Sequence, residues 1–252
     1  MRVLSAHATV EMAPGTELPV DWSAEETARI FTSNFARPIW DLQNTPDSIG
    51  AHVLLNLQMV PPDTNHPQAI VHIESSVTSS GSTTDEDSVS SEVSVDLVFD
   101  SAQWQQDPEL VIRRALARVA DTLTACVELQ LGDDAGLSDA LSRPDPAVAQ
   151  CAIVEATERN VALPAQRLLP HLQQNELPSL ALAVIGHAAA THQNELAAAV
   201  IERIPARDPE FLVAALPALA RFESDEVIGY IRAVAEAHPN ADVRAFAASW
   251  LQ

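Results

Sequence analysis

Apolar positions recur at period two in four stretches of the first hundred residues, and at helical spacing through most of the remaining chain. Val3 to Met12 alternates loosely and reads as a strand closed by Pro14-Gly15. His52 to Val60 places Val53, Leu55, Leu57 and Met59 at alternate positions. Ala69 to Val77 aligns Ile70 or Val71 with Ile73 and Val77, and Val89 to Phe99 puts Val89, Val93, Val95, Leu97 and Phe99 on one face. Thr78 to Ser88, polar and acidic, reads as the long hairpin loop between the last two strands.

Helical signals interrupt and then close this run. Ser23 followed by Glu26 forms a capping box that opens a helix carrying Ala28, Ile30, Phe31 and Phe35 and ending near Arg37-Pro38. Asp107-Pro108-Glu109 supplies an N-cap, a proline at the first helical position and an acid in the first turn. Val111, Ala115, Leu116, Val119, Leu123, Cys126 and Val127 make the apolar stripe of that second helix, which Gly132-Asp133-Asp134 is read to end. The order β-α-β-β-β-α predicts an antiparallel sheet with two covering helices over residues 1–135. That topology resembles small α/β domains of bacterial envelope and lipoprotein-type proteins.

After Gly136 strand signals vanish and a self-similar pattern begins. The segments starting at Val148, Leu177, Phe211 and Val243 share a large-x-x-mixed-small arrangement and lie 29, 34 and 32 positions apart. Between them run second helices with Leu168, Leu169 and Leu172, then Leu196, Val200, Ile201 and Ile204, then Val227, Ile228, Ile231 and Val234. Pro144-Asp145-Pro146, Asp208-Pro209 and Pro239-Asn240 punctuate the turns. The closing stretch Asp242-Val243-Arg244-Ala245-Phe246-Ala247-Ala248-Ser249-Trp250-Leu251 carries the Asp-Val-Arg triplet, small residues and terminal leucine that resemble the HEAT repeat family, particularly its short bacterial forms. The first unit has Ala149 where arginine is usual, and the middle units lack the triplet. The resemblance implies an α-solenoid over residues 136–252, in which stacked hairpins share one continuous core. The fold class expected for the whole chain is therefore α+β. Trp250 is expected to tuck inward, as large aromatics mostly do.

Charge narrows the partners. The chain has 252 residues, with 35 acids against 14 basic residues, all of them arginine, and a formal net charge of −21. Such a surface repels phosphate backbones and anionic lipid, which argues against nucleic acid, and it attracts basic proteins. No apolar run is long enough to span a membrane. With Met1 as the start, a cytoplasmic protein is expected; a removed signal segment would make it periplasmic or envelope-anchored.

No catalytic constellation appears. Seven glycines leave little material for a phosphate loop, and no Gly-x-Ser-x-Gly elbow is present. His66 with His72, and His187 with His192, lack the spacing that puts two ligands on one helix face. His171 and His238 sit near helix ends, where imidazolium would complement the dipole. Asp85-Glu86-Asp87 and Asp133-Asp134 read as solvated turns without the alternation and glycine of a calcium loop. Arg113, Arg114 and Arg118 share one helix and are expected to pair with the chain's own carboxylates. Cys126 and Cys151 lie among apolar neighbours; a bridge between them and two buried free thiols both stay open. No catalytic, cofactor or metal residue is assigned. The expected function is non-catalytic protein binding or scaffolding, an immunity-like inhibitor of a basic toxin being one specific form. The enzymatic alternative rests on a resemblance of some HEAT-like proteins to bilin lyase subunits and would require Glu155, His171 and His187 to cluster in a groove.

Overall fold

The computed structural model describes residues 4–12, 23–35, 49–60, 68–80, 90–173, 178–204 and 209–251. The fold is α+β, and the chain forms two compact units, Met1–Leu131 and Gly132–Gln252. The division expected after residue 135 would fall inside a short helix that belongs to the second unit.

In the first unit, β1 (Leu4–Met12) leads to α1 (Ala24–Ser33), then β2 (Ile49–Val60), β3 (Gln68–Ser80) and β4 (Ser90–Asp100), followed by α2 (Ser101–Gln106) and α3 (Pro108–Leu131). The four strands lie in the order β1-β2-β3-β4. The antiparallel sheet expected from the sequence needs one correction: β1 runs parallel to β2, with Leu4 opposite Ile49 and Met12 opposite Leu57. A tight turn reverses the chain, whereas a helical crossover returns it in the same direction, and α1 lies between these two strands. The remaining pairs are antiparallel, with Val53 opposite Val77 and Ile73 opposite Val95. Alternation is visible on the strands: Val53, Ile73 and Val77 are fully buried, while Leu54, Gln58 and Thr78 are exposed. Helix α1 packs on β1, and α3 covers β3 and β4.

The caps that start these helices are where the sequence places them. The Ser23 side chain accepts from the Glu26 N–H at 3.1 Å, while the Glu26 carboxylate turns to Arg29. Asp107 Oδ1 accepts from the Leu110 N–H at 2.9 Å at the head of α3. Helix α1 ends at Ser33, short of the expected Arg37, and Phe35 buries itself edge-on against Phe31 with ring centroids 4.9 Å apart.

The second unit opens on α4 (Asp134–Ala140), a helix the hydrophobic pattern does not announce. Helix α3 ends at Leu131, directly before Gly132-Asp133-Asp134 as expected, and the Asp133 carboxylate goes on to cap α4 by accepting from the Gly136 N–H at 3.1 Å. Then come α5 (Pro146–Glu158), α6 (Ala165–Gln173), α7 (Pro178–Ala190), a 3-10 turn over Asn194–Leu196, α8 (Ala197–Arg203), α9 (Pro209–Leu219), α10 (Asp225–Ala237) and α11 (Ala241–Ser249). Helix α5 packs on α7, α7 on α9 and α9 on α11; α6 packs on α8, and α8 on α10. Alternate helices thus line up in two rows.

The first row starts at Pro146, Pro178, Pro209 and Ala241, which are 32, 31 and 32 positions apart. Burial keeps the same interval. Val148, Ala149, Ala152, Ile153 and Ala156 on α5 correspond to Leu180, Ala181, Val184, Ile185 and Ala188 on α7, and to Phe211, Leu212, Ala215, Leu216 and Leu219 on α9. The sequence register, which aligns Leu177 (outside the described residues) with Val148, is therefore three residues off at α7, where Leu180 holds that place. Positions i and i+3 share a helix face, so a single apolar template fits both. In the second row Leu137, Leu168, Val200 and Ile231 are buried at intervals of 31, 32 and 31, which adds α4 to the series. Ile228, counted with the apolar stripe of α10, is 40% exposed.

Two helices of the first row end alike. Asn160 and His192, 32 positions apart, both have φ of 55°. Val161 N–H returns to the Ala156 carbonyl at 2.8 Å, and Gln193 N–H to that of Ala188 at 2.9 Å. These are Schellman closures made without glycine, which the left-handed tolerance of Asn and His allows.

Two helical glycines, Gly186 and Gly229, have by contrast no packing reason among the described residues. A Cβ added at Gly186, in the middle of α7, would meet nothing within 4 Å. Gly186→Ala is expected to raise stability by about 1 kcal/mol through helix propensity. Urea unfolding followed by circular dichroism checks it, and a loss of stability would show that this face is more crowded than it looks.

Candidate functional site

Bonds between successive helical hairpins recur at about one repeat length. Ser179 donates to Gln150 at 3.0 Å, His171 Nε2 lies 3.1 Å from the Leu141 carbonyl, and Gln193 Nε2 donates to the Leu163 carbonyl at 2.9 Å. Arg167 reaches back to the Ser138 carbonyl and, at 3.2 Å, to Asp139. Arg159 binds Glu155 at 2.7 Å, the Gly132 carbonyl at 2.9 Å and Asp134 at 3.4 Å. Burial opposes the Arg159 charge, but the bonds to Glu155 and Asp134 outweigh it and hold its pKa above the usual arginine value.

The densest of these joints surrounds His187, whose side chain is fully buried in α7. Leu163 N–H donates to Nε2 at 3.2 Å. Nε2 must then carry a lone pair, so Nδ1 holds the ring proton and donates to Thr157 Oγ1 at 2.8 Å. The Thr157 hydroxyl in turn donates a hydrogen bond to the Ile153 carbonyl at 2.7 Å. Thr191 donates to the His187 carbonyl, and Gln193 bridges Thr191 and Leu163. Desolvation by burial lowers the His187 pKa below the ordinary imidazole value. Its basic nitrogen is engaged by a backbone donor, which leaves no free lone pair for a substrate or a metal.

The remaining histidines and acids named from the sequence are dispersed. Glu155 pairs with Arg159, His171 with Leu141 and His187 with Thr157 and Leu163, so these three candidates serve three different joints. His171 Nδ1 is buried without a hydrogen-bond partner among the described residues. His192 is exposed at the α7 closure, and His238 accepts from the Asn240 N–H at 3.2 Å ahead of α11. Arg113 pairs with Glu109, and Arg114 and Arg118 are exposed on the same helix. His66 and Asp85-Glu86-Asp87 lie outside the described residues; His72 lies on β3, opposite Asp96 of β4 in backbone register. Among the described residues no group of three or more His, Cys, Asp or Glu could hold a metal ion. Neither cysteine is a free thiol; both are disulfide-bonded.

Two surface features were not foreseen. A cleft of about 240 Å³ is lined by Leu169, Leu172, Ala199, Glu202 and Arg203, between α6 and α8. Leu172 is itself buried, and Leu169, Ala199 and Arg203 each adjoin a buried residue in sequence (Leu168, Val200 and Ile204), too fine a distinction for a periodic pattern. Trp250, expected to pack inward, is 41% exposed and meets Phe246 edge-on at 6.1 Å. The buried residues of α11 are Val243 and Ala247, and Trp250 follows them as the residue that ends the helix.

No helix among the described residues is long and apolar enough to cross a membrane. No family model matches this chain, and no curated protein matches it either.

Proposed function

We propose that the second unit is a HEAT-like α-solenoid that binds another protein and performs no chemistry. The observation that carries this reading is the pairing of helices into two rows at a steady interval of 31 to 32 residues, with hydrogen bonds that join one hairpin to the next. Such stacking builds an extended face suited to another chain. The α6–α8 cleft is the anchoring point on that face: Leu169, Leu172 and Ala199 accept an apolar side chain, and Glu202 faces a neighbouring cation. The net charge of −21 favours a basic partner, and a toxin held by an immunity-like inhibitor is one form of it. The disulfide-bonded cysteines favour the exported alternative over the cytoplasmic one, because thiols stay reduced in most cytosols. No geometry favours a lyase, since Glu155, His171 and His187 are committed to separate structural bonds.

Cross-linking and affinity capture on the full chain test the proposal. A basic protein is expected to be retained at low ionic strength and released as salt rises. Filling the cleft with Ala199→Trp is expected to weaken retention by about tenfold, or about 1.4 kcal/mol. Turnover of a small molecule by the purified chain, or retention indifferent to both salt and Ala199→Trp, would overturn it.

A further inference from the structure

The connection between α5 and α6, residues 159–164, has no regular structure at Val161–Pro164 and is fastened to α7 by side chains. Its central amide, Leu163 N–H, has His187 Nε2 as acceptor, and its central carbonyl takes Gln193. A backbone N–H in a buried segment needs an acceptor, and here that acceptor is a titratable ring. Adding a proton to Nε2 would turn the acceptor into a donor aimed at another donor. The Leu163 bond cannot survive that change, and the charged ring would sit where no described residue offers a counter-charge.

We propose that His187 is a pH-released latch: its neutral ring fastens the α5–α6 connection onto α7, and protonation frees that connection, loosening the joint between the first two hairpins. Among the described residues, the titratable and charged groups on every element packed against α7 leave the ring alone. On α5, Glu155 is held by Arg159, which itself turns to Gly132 and Asp134, and Glu158 is exposed. On α6, Arg167 turns to Ser138 and Asp139, and His171 to Leu141. Glu210 on α9 and Glu195 in the 3-10 turn are exposed, as is His192 beyond the end of α7. Burial is the cause of the lowered His187 pKa, with no charged group contributing.

The direction follows from linkage. The opened segment takes up a proton at the ordinary imidazole value of about 6.5, and the closed one only at lower pH. The stabilisation given by the latch is complete above that value and declines as pH falls below it. If the proton enters only the open form, opening grows by about eightfold between about pH 7 and about pH 5.5. Carboxylates of ordinary pKa remain mostly ionised across this window.

Amide exchange of the full chain, corrected for intrinsic rates, reads the latch directly. Protection at Leu163 is expected to fall by about eightfold across the window. The Phe222 amide, bound to the Leu219 carbonyl outside the joint, is expected to hold steady. His187→Gln keeps a donor and an acceptor without titrating, so Leu163 protection should lose its pH dependence, while His187→Leu should lose protection at both ends. Protection at Leu163 that stays flat in the wild type, or that falls equally at Phe222 or in His187→Gln, would overturn the proposal. Should the variants fail to fold, the wild-type comparison of Leu163 with Phe222 decides, supported by ¹⁵N shifts of the ring, which at pH 7 must show Nδ1 protonated and Nε2 bare.

Discussion

Leu168→Ala is expected to destabilise the second unit by about 2–5 kcal/mol. Leu168 is fully buried on α6, which packs against both α7 and α8. Helix α6 is one of the places where the second row of helices meets the first, and Val200 and Ile231 occupy the places corresponding to Leu168 on α8 and α10. The only other buried side chains described on α6 are His171 and Leu172, and His171 is anchored to the Leu141 carbonyl. Little nearby can move into the space, so the upper part of the range applies. Urea unfolding followed by far-ultraviolet circular dichroism measures the loss. A cost below about 1 kcal/mol would mean that α6 is not wedged between its neighbours, and the stacked-hairpin reading would lose its main energetic support.

The apolar spacing that marks Leu168 as a core residue is legible in the sequence, as are other buried positions of both units. Val53, Ile73 and Val77 follow from period-two alternation, and the stripes of α5, α7 and α9 follow from helical spacing. Strand direction does not: alternation is the same for parallel and antiparallel neighbours, and only the helix between β1 and β2 encodes the difference. Helix α4 carries little signal because it is about two turns of mostly small and acidic residues, and because Asp133 suits a helix start and a loop equally well. The left-handed closures at Asn160 and His192 carry no glycine to announce them.

The joint around His187 was hidden for a different reason. Its partners are a hydroxyl 30 residues away and a backbone N–H, and neither leaves a motif. One signal was available: α7 carries no charged side chain and is otherwise almost wholly aliphatic, so a histidine on it needs partners that its own helix cannot supply. Read as a candidate ligand it leads nowhere; read as a buried donor and acceptor, it points to hydrogen bonds across the repeat.

Ala215→Leu is expected to cost about 1–3 kcal/mol through overpacking, whereas the adjacent Ala214→Leu is expected to stay within about 0.5 kcal/mol of the wild type. The two alanines differ in environment alone. Ala214 is exposed, and Ala215 is fully buried on α9, which packs against α7 on one side and α11 on the other. The positions matching Ala215 are Ala152, Val184 and Ala247, all fully buried and none larger than valine. A row of helices can keep a constant separation only if the residue at the closest approach stays small in every repeat, because interiors are packed too densely to absorb an extra isobutyl group. Paired unfolding curves of the two variants isolate that requirement from helix propensity, which is the same for both. Equal stability would show that the α7–α9–α11 spacing is loose. A large difference would tie the 32-residue period to close packing between the helices.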